Sequence, residues 1–346
     1  MMSPELPVPA HFHPEKVGEV WKVSYQDIAS VAQQWAFSHG IQPATNDATK
    51  VCLLVVDVQN TFCVPGFELY VGGRSGFGAV DDNKRLCDFI YRNLANITQI
   101  VATLDTHQAM QIFHSIFLVN DKGEHPNPYT IISLEDVVQG RWKFNRALCH
   151  YLDISSDYGQ RYLEHYARRL RHSGKYELTI WPYHAMLGGI GHALVAAVEE
   201  AIFFHTIARY SQVDIHIKGN HPLTEHYSVL GPEVGTDIDN RPLTQQSDKV
   251  RGILRDYDVI IVTGQAKSHC VAWTIADLLT DILAQDRKLA AKVYLLEDCT
   301  SPVVVPGAVD YTDAADAAFQ QFAEAGMHLV RAIEPMVSWP DLGNRL

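Results

Sequence analysis

The chain has 346 residues, 28 Lys+Arg against 40 Asp+Glu, and a formal net charge of −12. That acidity argues against nucleic acid as a partner, since a polyanion needs positive counter-charge, and the 47% apolar content excludes a disordered chain. No apolar run reaches the roughly 18 residues of a membrane span, no secretory leader opens the chain, and six cysteines without CxxC or zinc-finger spacing fit free thiols in a reducing cytoplasm.

Residues 1–46 read as an N-terminal extension, opened by Pro7, Pro9 and Pro14 and carrying one helix over 24–38. Strand and helix then alternate. Apolar runs predict strands at 51–56, 97–104, 213–217, 259–262, 293–296 and 328–330, and helical periodicity predicts helices near 82–94, 190–206, 271–284 and 314–325. Short apolar strands separated by helices imply a three-layer α-β-α domain over 47–346, built on a largely parallel sheet of about six strands. The rhythm breaks between His114 and Trp181. A polar loop at 121–128 and a helix at 157–172 mark an insertion at about 118–176, packed over the main domain. Its Arg161, Arg168, Arg169 and Arg171 read as a solvated helix face.

Sites in open α/β sheets form beyond the carboxyl ends of the strands. Here the first strand ends in Asp57, the second in Asp105 with His107 two residues on, and the third in Lys218-Gly219. The fourth leads through Gly264-Gln265-Ala266 to Cys270, just before a helix. A thiol at such a corner meets the positive helix end and unpaired N–H groups, which favour thiolate and can hold an oxyanion. Asp57 is the candidate base, against a capping aspartate as the plain alternative. Lys218 would lower the thiol pKa and keep Asp57 ionised, against an ordinary surface lysine. Cys52, Cys87 and Cys149 read as small apolar residues, and Cys63 and Cys299 lie near strand ends without a helix directly following. In an extended segment Asp105 and His107 point the same way and could share a metal. A third ligand must come from elsewhere; His184, after Trp181-Pro182-Tyr183, is preferred, with His114 and His192 as runners-up.

Five segments in this order resemble the isochorismatase-like cysteine hydrolases, nicotinamidases in particular. They are Val56-Asp57-Val58-Gln59-Asn60-Thr61-Phe62, Thr103-Leu104-Asp105-Thr106-His107, Ile180-Trp181-Pro182-Tyr183-His184, Lys218-Gly219 with Tyr227-Ser228, and the 264–271 loop around Cys270. The resemblance implies a catalytic triad of Asp57, Lys218 and Cys270. It implies a divalent metal (zinc, or else iron or manganese) on Asp105, His107 and His184, binding a pyridine nitrogen in nicotinamidases. It also implies a cis peptide at Gln265–Ala266, an oxyanion hole from the N–H groups of Ala266 and Cys270, and a ring pocket of Phe62, Trp181 and Tyr227. The expected reaction is ammonia release from a small carboxamide, most plausibly nicotinamide, by a cytoplasmic homo-oligomer. Substrates of the N-carbamoyl, ureide or isochorismate type, or a silent binding module, are the alternatives. The loop departs from the usual pattern, with Lys267-Ser268-His269 before Cys270, Ala185 after His184, and Thr106 between the first two metal residues.

Overall fold

The computed structural model describes residues 3–244 and 248–342. Its centre is a six-stranded sheet made of β1 (Val51–Val56), β2 (Gln99–Asp105), β3 (Asp214–Lys218), β4 (Val259–Gly264), β5 (Val293–Leu296) and β6 (His328–Val330). The spatial order is β6-β5-β4-β1-β2-β3, and every pairing is parallel. β1 shows why the sheet needs cover on both sides: all six of its residues are buried. Val51, Leu53 and Val55 join one core, and Cys52, Leu54 and Val56 join the other. Each such aliphatic side chain contributes roughly 1.5–3 kcal/mol by leaving water.

Helices α1 (Tyr25–Ser38), α2 (Gly78–Arg92) and α4 (Ala196–Arg209) share the first core. On the opposite face lie α5 (Asp248–Asp256), α6 (Ala272–Gln285) and α7 (Thr312–Glu324). The insertion contributes α3 (Ser156–Ser173), whose Tyr162, Leu163, Tyr166 and Leu170 belong to the first core. Its arginines behave as a solvated face, with Arg161, Arg168 and Arg171 in exposed ion pairs to Asp157, Glu164 and Glu135. No helix among the described residues is long and apolar enough to cross a membrane.

The helix expected near 82–94 runs over Gly78–Arg92 and the strand expected at 259–262 runs on to Gly264. The helix expected over 190–206 begins only at Ala196, because Gly188, Gly189 and Gly191 favour an irregular turn with a short 3-10 segment at Ile190–His192. Strands β2 and β3 each run one residue further than expected, so Asp105 and Lys218 are the last residues of their strands and paired in register.

Candidate active site

The chain moves outward from β1 in one direction to β2 and β3, and in the other to β4, so the sheet reverses its order at the β1–β4 boundary. The side chains beyond those strand ends converge there. Lys218 Nζ lies 2.8 Å from Asp57 Oδ2, 3.0 Å from Asp105 Oδ1 and 3.5 Å from Cys270 Sγ. Donor atoms of Asp57, Asp105 and Cys270 all lie within 4.8 Å of one another, and all three residues are buried. Local backbone puts them there. Asp57 takes a left-handed φ of 48°, which an aspartate tolerates, and its carboxylate accepts from the Thr103 hydroxyl. At Gly264 any Cβ would meet the Val56 carbonyl oxygen at 2.0 Å, so only glycine lets β4 pass this close to β1.

Cys270 occupies a single widened helical turn, Lys267–Val271, between β4 and α6. There the Ala266 carbonyl accepts the N–H groups of His269 and Val271, and the Gln265–Ala266 peptide is cis. Burial pushes the Cys270 thiol well up, and Lys218 opposes this, so loss of water works against the helix end and the nearby ammonium. Burial likewise raises Asp57, against the pull of Lys218. Burial alone would lower Lys218, but the Asp105 and Asp57 carboxylates outweigh it and keep the amine charged.

Next to this cluster stand two imidazoles. His107 Nε2 is 2.8 Å and His184 Nε2 3.9 Å from Asp105 Oδ2. Both rings have Nδ1 committed to a backbone carbonyl, His107 to Gly219 at 3.0 Å and His184 to Pro182 at 2.8 Å. Both Nε2 atoms therefore turn toward the Asp105 carboxylate, with His107 at hydrogen-bond distance, and neutral Nδ1–H tautomers would free both for a divalent cation. The donor set of one oxygen and two nitrogens, all within 4.8 Å of one another, fits zinc, iron or manganese. Gly219 is required here, since a Cβ would come within 2.4 Å of Asp105 Oδ1. The runners-up stay outside: His114 turns Nδ1 to the Ala109 carbonyl, and His192 pairs with Thr106 Oγ1 at 2.8 Å.

A narrow pocket opens onto the sulfur. Phe62, Trp181 and Tyr227 line it, as do Asp105, His184 and Ala266. Leu69, Glu225 and Val303 also line it and were not singled out from sequence, and His269 lines it too, noted there only as a departure in the loop before Cys270. Burial pushes the Glu225 carboxyl up to about 7, against His107. The insertion braces this wall. Tyr162 donates to the Leu223 carbonyl, the Tyr166 hydroxyl accepts the Glu225 N–H, and Tyr176 donates to the Ser268 carbonyl. A larger hollow of about 1100 Å³ lies at the opposite sheet edge beside Arg209, but it holds no thiol.

No family model matches this chain, and no curated protein matches it. Solved structures do. The yeast nicotinamidase Pnc1p bound to the inhibitor nicotinaldehyde is 18% identical, with a TM-score of 0.50 over 81% of this chain and 99% of that one. A nicotinamidase/pyrazinamidase of Acinetobacter baumanii is 20% identical, with a TM-score of 0.49 over 83% and 98%. A Pyrococcus horikoshii pyrazinamidase in complex with zinc is 18% identical, with a TM-score of 0.42 over 82% and 99%. The fold is thus the isochorismatase-like, nicotinamidase-related α/β fold.

Proposed function

We propose that this protein is a metal-containing cysteine amidohydrolase that releases ammonia from a small aromatic carboxamide, with nicotinamide as the leading substrate. The observation that carries the reading is the contact of one buried ammonium with a thiol and two carboxylates. Packing has no need of such a cluster, and burying its charges is costly.

Asp57 takes the proton of Cys270 as the thiolate attacks the amide carbon. With Asp57 beside the sulfur, this transfer belongs to the attack itself. The N–H groups of Ala266 and Cys270 hold the oxyanion, each donor being worth roughly 3 kcal/mol of barrier. Asp57 then hands its proton to departing ammonia and draws one from the water that cleaves the thioester. Lys218 keeps its position against Asp57, Asp105 and the His226 carbonyl, so the charges do not rearrange between steps. Asp105, His107 and His184 would hold the cation, which when bound supplies a Lewis-acid anchor for the substrate ring. Phe62, Trp181 and Tyr227 fit a flat ring, and the Trp181 indole donates to the Tyr227 hydroxyl at 3.0 Å, fixing both walls. A ureide or N-carbamoyl substrate is the second reading. It is favoured by Glu225, whose carboxyl in the cavity wall suits additional N–H donors.

Ammonia release measured over nicotinamide, pyrazinamide, N-carbamoyl amino acids and ureides, with metal-loaded and chelated protein, tests this. Turnover of a carboxamide that chelation suppresses is the expected result; inert carboxamides beside a turned-over ureide select the second reading. His184→Ala should lower bound metal per chain and raise KM for a pyridine substrate. Unchanged metal stoichiometry removes His184 from the site.

A further inference from the structure

The residue before the nucleophile, His269, is buried in an aromatic cage. Its ring centroid lies 4.7 Å from Tyr311, 4.9 Å from Tyr176, 5.1 Å from Tyr227 and 5.4 Å from Trp181. A phenylalanine would fill such a cage equally well, whereas an imidazole brings two nitrogens that each require a partner once buried. Only one has a partner. Nδ1 lies 2.8 Å from Ser268 Oγ, and that oxygen accepts the Val303 N–H at 3.0 Å. The Ser268 hydroxyl has no other acceptor among the described residues, so its proton goes to Nδ1, and Nε2 carries the ring proton. Nε2 is buried with no hydrogen-bond partner among the described residues. The ring itself lines the cavity beside Cys270. Burial holds the imidazole at about 3, so it is a neutral donor throughout the working range.

We propose that His269 Nε2–H is a specificity donor, hydrogen-bonding an uncharged acceptor atom of the substrate, a heteroaromatic nitrogen or an oxygen, outside the scissile amide. This rests on the hydrolase reading and extends it to the substrate class: a heteroaromatic carboxamide with one acceptor for the metal and a second for His269. Ser268 acts as a positioning residue, since its hydroxyl selects the tautomer. The simpler account is an N–H lying on the face of Tyr311, whose ring is inclined at 81° to the imidazole.

The experiment compares nicotinamide with the carboxamides of pyrazine, pyrimidine and pyridazine that keep a nitrogen meta to the amide and add a second one ortho, meta or para. Each is assayed on metal-loaded wild type, His269→Phe and Ser268→Ala. On His269→Phe one diazine should lose at least tenfold more kcat/KM than nicotinamide, since a site built to pair an acceptor discriminates by its presence. Ser268→Ala should single out the same diazine. Equal losses across all four, within twofold, would show cage packing only and overturn the proposal. Dissociation constants on Cys270→Ala protein, with and without His269→Phe, separate this idea from the hydrolase reading. Selective binding without turnover in wild type sinks the hydrolase and keeps the donor; unselective binding, or none, sinks the donor.

Discussion

Buried charge occurs at both ends of the sheet, and the two ends treat it differently. At the amino end Arg209, 1% exposed, meets both carboxylate oxygens of Asp47 with Nη2, the Gln42 carbonyl with Nη1 and the Ile97 carbonyl with Nε. All three guanidinium nitrogens are matched, and the group ties the N-terminal extension to α4. At the carboxyl end one ammonium is shared among Asp57, Asp105, the His226 carbonyl and a thiol, and the Nε2 atoms of His107 and His184 both turn to Asp105 Oδ2, at 2.8 and 3.9 Å. Saturated buried charge fixes a structure. Buried charge with open valence is held ready for something that binds or reacts.

The largest effect separates those roles. Cys270→Ala removes the proposed nucleophile, so turnover should fall at least ~10⁴-fold, while the thermal midpoint stays within a few degrees of wild type. Ammonia release close to wild type from that variant would exclude covalent catalysis here. Arg209→Met is the mirror experiment. It leaves Asp47 without its cation and should cost about 3 kcal/mol of folding stability, read from the urea midpoint. Its kcat per folded molecule should hold. If instead kcat drops while stability does not, the amino end takes part in function and the contrast fails.

Much of the carboxyl end is legible in sequence because strand ends are legible. Runs such as Val259–Gly264 are apolar, short and followed by glycine, so the residue after each run falls at a known edge. Asp57, Asp105, Lys218 and Cys270 are placed that way, and the structure brings all four together. The structure places His184 beside Asp105, with Nδ1 on the Pro182 carbonyl, while His192 pairs with Thr106. What stays hidden depends on contacts between distant segments. Glu225 lies in a loop with no periodicity, and its place in the wall comes from Tyr166, 59 positions away in the insertion. The burial of Cys270 was hidden for a similar reason: a helix end is visible in sequence, but the depth of burial that opposes it is not. His269 stood out only as a departure from a pattern, and its unpartnered nitrogen needed coordinates.

Glu233 lies between the two extremes and gives the smallest, best-signed test. Its carboxyl is buried, with Lys175 Nζ 3.2 Å from Oε2 as its ion-pair partner. Burial pushes this group up to about 7, with Lys175 opposing. In the unfolded chain it titrates at the ordinary glutamate value of 4.5. Below pH 4.5 both states are protonated and folding gains its full benefit. Between 4.5 and about 7 the unfolded chain ionises first, so stability falls as pH rises, and above 7 the loss is complete. Each pH unit of separation is worth about 1.4 kcal/mol, which bounds the loss at roughly 3 kcal/mol. Glu233→Gln removes the titration. Its urea midpoint should match wild type near pH 4.5 and exceed it by pH 8, with the gap opening between. A gap that stays constant over that range would mean Glu233 is ionised and fully paired with Lys175 throughout, and would move it into the same saturated class as Arg209.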